Sequence, residues 1–256
     1  MMYHPEPYWN DVAKRIAYRD KFDLIEGERE PYYRYKRKKA VRLLQTIDFR
    51  DKIVLEIGSG PGANIYEISK QNPKELHGVD ISDEMIAISR KVLDDKDVTI
   101  KKIDGRHISY PDQYFDLSFT STVLQHNTDE KMLVDIIAEI CRVTKKDIYI
   151  FEKIENKIKG TVLCLGRPIK YYESLFEKHE FRLKQVNFIN IQVSFLVSGI
   201  IRKLFNSPRR KEGEEISKIS HFLQKITLPI TSYLDNIFKS RRELGMLHFA
   251  KRSVAK

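Results

Sequence analysis

Glu56, Gly58, Gly60 and Gly62 alternate through the stretch KIVLEIGSGPGA at residues 52–63. The run 53–57 is apolar and β-branched, and a helical pattern follows the last glycine, so the stretch predicts a strand, a tight turn and a helix start. Glycines suit such a turn because it needs backbone angles that other residues resist, and because a missing Cβ lets a ligand lie against the main chain. The letters GSGPGA also satisfy the dinucleotide fingerprint G-x-G-x-x-G/A, which is weak alone. Two details weigh against a pyrophosphate. Glu56 sets a carboxylate beside the turn, repelling phosphate and suiting an ammonium or sulfonium cation, and Pro61 removes one backbone N–H from the anion cradle.

Further candidates stand where other strands are expected to end. Asp80 closes the apolar run 75–80 about 20 residues past the glycines, where a carboxylate can accept from both hydroxyls of a ribose. Asp104, with Gly105, closes a run at 98–104 and could accept from an exocyclic adenine amine. After a strand at 115–122 the sequence TSTVLQH leads to His126, whose intrinsic pKa suits general-base work near neutrality; packing against the next helix is an equal alternative. His107 and the pair Tyr32 and Tyr33 are weaker candidates. Cys141 and Cys164 lie in apolar surroundings without metal-ligand spacing, which fits a reducing cytoplasm and neither a disulfide framework nor a zinc site.

These positions require an alternation of strands and helices. Strands are expected at 53–57, 75–80, 98–104, 115–122 and 147–152, with helices at 82–93, capped by Ser82, and 128–143, capped by Thr128. Such βαβ alternation gives a mostly parallel sheet with ligands at the carboxyl ends of its strands. Before it, residues 3–39 mix aromatics (Tyr3, Tyr8, Trp9, Tyr18, Tyr32, Tyr33, Tyr35) with lysines and arginines, and predict two helices broken near Gly27 and Pro31. They read either as a lid over a bound cofactor or as packing helices.

As a set, Glu56 with Gly58, Gly60 and Gly62, Asp80, Asp104 with Gly105, and the sequence YFDLSFTSTVLQH at 114–126 resemble the motifs of class I S-adenosylmethionine (SAM)-dependent methyltransferases over residues 51–152. The resemblance implies an α/β, Rossmann-like, seven-stranded, mostly parallel sheet of order 3-2-1-4-5-7-6, with 181–189 and 244–252 as an antiparallel last pair. It implies SAM as cofactor and S-adenosylhomocysteine (SAH) as product, with no metal. Glu56, Gly58, Ser59, Gly60 and Gly62 would hold the methionine part and Asp80 the ribose. Ile81 and Met85 would pack near the adenine, Asp104, Gly105 and Arg106 would border its polar edge, and Thr120 and the residues after it would face the methyl-transfer side. His126 is the candidate catalytic base.

The expected organisation is an N-terminal helical lid at 1–50, a SAM-binding core at 51–190, a helical cap insertion at 191–243 between strands six and seven, and a final strand and tail at 244–256. A charge of +10 favours anionic partners in general. Neither an N/D-P-P-Y end to the fourth strand nor a Pro-Cys pair is present, which excludes the common base-amino and cytosine-C5 chemistries. A small-molecule or saccharide acceptor, lipid-linked or free, is the leading expectation, with O- or N-methylation ahead of C-methylation. A nucleic-acid acceptor, favoured by charge only, and a non-catalytic binding protein are the alternatives. The insertion carries apolar positions Val193, Leu196, Ile200 and Leu204 beside a polar stripe, Asn190, Ser194, Ser198 and Arg202, then a second apolar periodicity from Ile216 and more helix after Pro229. No run reaches the roughly 20 apolar residues of a membrane span. A cytoplasmic protein is expected, with peripheral contact at the inner membrane face through 191–242 as an alternative to the cap.

Overall fold

The computed structural model describes residues 5–26, 29–239 and 243–252; Tyr3, the break at Gly27, the insertion's end at 240–242 and the tail at 253–256 lie outside the described residues. The chain opens with three helices, α1 (Pro5–Ile16), α2 (Lys21–Glu26) and α3 (Pro31–Leu44), where two are expected. The extra break comes from Asp20, whose carboxylate accepts from Asp23 N at 2.7 Å and so starts a new helix. Pro31 opens α3, where its missing N–H costs nothing.

Then follow β1 (Ile53–Ile57), α4 (Ala63–Ser69), β2 (Glu75–Asp80), α5 (Asp83–Val92), β3 (Thr99–Lys102), β4 (Phe115–Ser121), α6 (Glu130–Val143) and β5 (Thr144–Ile154). A short hairpin of β6 (Lys159–Thr161) and β7 (Cys164–Gly166), absent from the expected elements, leads to α7 (Ile169–Glu177) and β8 (Phe181–Phe188). Helices α8 (Gln192–Phe205) and α9 (Lys218–Ile237) precede β9 (Glu243–Lys251). The seven-stranded sheet has order β3-β2-β1-β4-β5-β9-β8, the expected order once the hairpin is counted. Its first five strands are parallel, and β9 runs antiparallel to both β5 and β8. Buried clusters cover both faces. This is why central β1, IVLEI, is apolar almost without alternation.

Several expected boundaries move. β3, at the edge, is shorter than 98–104 because only Ile100 of TIKK is buried. β5 is longer than 147–152 because it pairs with β9 out to Ile154. Ser82 caps α5 as expected, its Oγ accepting from Met85 N at 3.1 Å. The cap of α6, however, is Asp129, whose carboxylate accepts from Met132 N at 2.7 Å. Thr128, the expected cap, donates instead to Val162 O at 2.8 Å, drawn into the turn of the β6–β7 hairpin.

The insertion is an antiparallel helix pair, because Ser194 at the start of α8 donates to Asp235 at the end of α9, Oγ to Oδ2 at 2.6 Å. Pro229 lies inside α9 without breaking it, on the exposed side with Lys225, the residue whose helical hydrogen bond it cannot donate to. Within the pair Ser194, Ser198, Ser220 and Asp235 are buried, together with Ile201, while most of the apolar side chains of both helices stand outside.

Candidate active site

The turn after β1 is tied to β2: Gly58 N and Ser59 N donate to Val79 O at 2.7 and 3.1 Å. A Cβ on Gly58, at φ +70, would stand 2.3 Å from Val123 Cγ2, so this glycine lets the turn touch the loop after β4. Gly60, at φ +51, has nothing within 4 Å of where its Cβ would stand. The backbone there opens onto a cavity of about 760 Å³, within the range of small-ligand sites, about 300–1,000 Å³.

Two ionisable side chains in the cavity wall each keep a buried polar atom that has no partner among the described residues. Glu56 is 1% exposed; its Oε1 accepts from Asn64 Nδ2 at 2.7 Å, while Oε2 has no hydrogen-bond partner. Burial pushes its pKa up to about 8, against the pull of Asn64 and Arg37. From α3, Arg37 donates through Nε to Ile25 O at 3.2 Å and through Nη1 to Asn64 Oδ1, leaving Nη2 unpartnered. Burial lowers its pKa, and Glu56 opposes that. An acidic acceptor and a basic donor, both short of a partner, suit the ammonium and carboxylate of an amino-acid group, the acid ionising as the ammonium arrives.

At the end of β2, Asp80 Oδ2 accepts from Gly60 N and Oδ1 from Ser82 N, both at 2.8 Å. Each oxygen keeps a further lone pair, so two hydroxyls can still be received. Burial raises its pKa, against those backbone bonds. Beyond it, Ile81, Met85, Ile103, Gly105 and Met132 form an apolar slot.

Past β4 the loop 121–127 is held by a buried carboxylate. Glu152, in β5, takes Thr120 Oγ1, Val123 N and Leu124 N at 3.0 Å each on Oε1, and Gln125 N at 2.9 Å on Oε2. Arg167, 1% exposed, donates to Leu124 O at 2.8 Å and Asn127 O at 2.7 Å from the other side. Thr122 is fixed at φ 59, a costly conformation for a β-branched residue.

This loop presents His126. Its Nδ1 lies 2.8 Å from Leu163 O, so it carries the proton. Nε2 then accepts from the Gln125 amide at 3.1 Å, an orientation fixed by Lys153 N donating to Gln125 Oε1 at 2.9 Å. The Trp9 ring stands edge-on at 5.0 Å. Burial lowers the His126 pKa, with Glu212 and Leu163 opposing, so the ring is neutral at neutral pH. Around it the wall is completed by Tyr33 and Lys36 of α3, Arg210 and Glu212 of the α8–α9 connection, and Glu243. Lys36 has its pKa lowered by burial, against Glu243.

The cavity therefore gathers Glu56, Gly58, Ser59, Gly60, Asp80, Ile81, Met85, Gly105 and His126. Four expected residues lie elsewhere. Gly62 caps α4, and Thr120 is fully buried beneath the loop on Glu152. Asp104 turns into its own loop, where it accepts from Arg106 N and His107 N at 2.7 Å each. Burial would lift its pKa, yet the bonds from His107 and Arg106 hold it at about 2. Arg106 pairs with Asp135 on α6. Among the weaker candidates, His107 sits on Asp104, 3.0 Å away, and Tyr32 is buried outside the wall.

Arg37, Asn64, Gln125 and Glu152 are absent from the sequence-based candidates. Glu152 ends the expected fifth strand, and that position was its available signal. Arg37 is one of several basic residues on α3 and nothing in the sequence separates it from its neighbours.

The sheet order, its antiparallel last pair and a glycine turn between β1 and an acidic β2 end are those of the Rossmann-like methyltransferase fold. Residues 54–147 match the family model described as a methyltransferase domain, and the chain carries such a domain of the class I SAM-dependent type. No curated protein matches the sequence. Among solved structures it is similar to magnesium protoporphyrin IX methyltransferase from Synechocystis PCC 6803 with bound SAH, at 11% identity and a TM-score of 0.60, covering 96% of this chain and 98% of that one. The 4+2 cyclase SpnF is similar at 13% identity and 0.63, covering 97% and 93%. A SAM-dependent methyltransferase from Mesorhizobium loti is similar at 13% and 0.54, covering 83% and 96%. At these identities the likeness is one of fold.

Proposed function

We propose that the chain transfers a methyl group from SAM to a hydroxyl or amine of a small molecule or saccharide. The observation that carries this reading is that one cavity joins the glycine cradle to His126 under a roof of α1, α3 and the α8–α9 connection. A roofed chamber of that size takes a small acceptor and leaves little room for a folded nucleic acid, despite the net charge of +10.

In this reading Glu56 Oε2 and Arg37 Nη2 receive the amino-acid end of the cofactor, Asp80 the ribose and the apolar slot the adenine. When bound, SAM supplies a methyl group already activated by its sulfonium. What remains for the protein is to align the acceptor and exclude water, effects worth about 7–11 kcal/mol when fully realised. The roof does both, with Trp9 closing on His126. For a hydroxyl acceptor His126 takes the proton at Nε2 once the acceptor displaces the Gln125 amide; for an amine no base is needed beyond solvent. Thr120 acts through Glu152 as a positioning residue, and Asp104 and Arg106 shape the loop behind the slot.

The test is a screen of cell metabolites, glycan precursors and RNA with methyl-labelled SAM, run beside calorimetry with SAH. Label in a small molecule or saccharide is the expected result. Label confined to RNA would replace the acceptor class, and absence of SAH binding would overturn the cofactor assignment itself.

A further inference from the structure

Helices α8 and α9 are amphipathic in the opposite sense to ordinary surface helices. α9 buries Ser220, Gln224, Thr231 and Asp235, and leaves Ile219, Phe222, Ile226, Ile230, Tyr233 and Ile237 between 54% and 66% exposed. α8 buries Ser194 and Ser198 and leaves Leu196, Ile200 and Leu204 between 53% and 68% exposed. Eleven of the sixteen large apolar side chains found exposed among the described residues fall between Leu196 and Phe238, so the feature is a single patch rather than ordinary surface scatter.

The orientation is fixed from within. Asp235 accepts from Val193 N at 2.7 Å, Ser194 N at 3.2 Å and Tyr35 OH at 3.0 Å. Gln224 accepts from Tyr32 N at 3.2 Å and donates to Glu30 at 2.9 Å. Turning the apolar stripes inward would strand these buried groups without partners.

Charge identifies the occupant. Asp235 is the only carboxylate within α8 and α9, and it is buried. Lys203, Lys218, Lys225 and Lys239 are exposed on or beside the pair. A second copy of this chain packed on the same face would set these lysines against one another, whereas anionic lipid headgroups attract them. The stripe from Ile219 to Ile237 extends about 27 Å at 1.5 Å per residue, and no described helix is long and apolar enough to cross a membrane. We infer that the outer face of α8 and α9 lies on an anionic lipid bilayer, with Phe222, Tyr233 and their aliphatic neighbours entering the headgroup boundary and the lysines pairing with phosphates. This inference stands independently of the acceptor assignment.

Flotation of the full chain with vesicles of roughly three parts phosphatidylcholine to one of phosphatidylglycerol, against pure phosphatidylcholine, tests it. The protein should float with the anionic vesicles, less so with the neutral ones or at high salt. Phe222→Glu with Ile226→Glu should lower partitioning at least about tenfold, and Lys218→Glu with Lys225→Glu should remove the preference for phosphatidylglycerol. Both variants should keep the parent's unfolding midpoint, since the changed side chains are exposed. Failure of the folded parent to float, or undiminished flotation of the Phe222 and Ile226 variant, would overturn the inference. So would a dimer in sedimentation velocity that Ile226→Glu dissociates.

Discussion

Replacing Glu56 with glutamine keeps the shape of the side chain and removes its charge, and the structure sets the size of the effect. The carboxyl is 1% exposed, and burial lifts its pKa from an ordinary 4.5 to about 8. An acid whose folded pKa lies above its unfolded pKa leaves stability intact below the unfolded value, and erodes it as pH climbs through the window up to the folded one. With each tenfold change in proton affinity worth about 1.4 kcal/mol, Glu56 costs the empty fold roughly 3 kcal/mol near pH 7 and roughly 5 above pH 8. Glu56→Gln escapes that cost. Its stability advantage should be negligible at pH 4.5, widen up to about pH 8 and then level off. Ligand affinity should move the other way. A neutral amide loses the charge-assisted bond to an ammonium, worth about 1.5–3 kcal/mol, so above pH 8, where the parent carboxyl is already ionised, SAH should bind at least about tenfold more weakly. In the parent, pairing the mostly protonated carboxyl with a cation should release a proton, seen as a buffer-dependent heat. Denaturant unfolding across the pH window, with calorimetry for SAH, measures all three quantities. A stability gap that does not vary with pH, or unchanged SAH affinity, would refute the reasoning.

Asp80→Ala should weaken SAH binding by more than about tenfold, because two acceptors for the ribose disappear; equal affinity by calorimetry would remove Asp80 from the site. His126→Gln should lower kcat by about 10² to 10⁴-fold for a hydroxyl acceptor while SAH affinity holds. Since burial depresses the His126 pKa, the parent's rate should stay level as pH falls through 6.5, the ordinary value for histidine. A decline centred there would contradict the neutral ring. Glu152→Gln sets an amide N–H against the Gln125 N–H and should cost about 2 kcal/mol or more of unfolding free energy; a smaller loss by denaturant titration would deny it the role of anchor for loop 121–127.

Much of the half of the cavity around the glycine turn was legible because its residues are close in sequence and their places come from backbone geometry. Strand, glycine turn and helix at 53–69, and an acid at the next strand end, are local patterns. Asp104 shows the limit: it stands two residues past the end of β3, and its carboxylate, two and three residues before the N–H groups of Arg106 and His107, caps its own loop, with the His107 ring completing that turn. The acceptor half was much less legible. Arg37 meets Asn64 only after α3 folds across the sheet, and Gln125 presents its amide N–H to His126 Nε2 only because β5 delivers the Lys153 N–H. In α8 the polar stripe could be read from spacing, but spacing alone does not say which stripe faces inward. The answer came from Asp235 and Gln224, which satisfy donors on α8 and α3.

The two halves of the cavity are also coupled to the rest of the molecule in different ways. The cradle is braced within the sheet, through Val79, Gly60 and Ser82. The roof over His126 is braced by the connection between α8 and α9. Glu212 accepts from Tyr8 through its carboxylate and from Arg15 Nε through its carbonyl at 2.6 Å, and Gly213 O accepts from Arg19 Nη2 at 2.8 Å. Arg210 and Glu212 of that connection line the cavity, and the helices on either side of it carry the outward apolar stripes. The glycine turn and the wall around His126 are thus held by separate sets of bonds, one within the sheet and one through α1 and the α8–α9 connection.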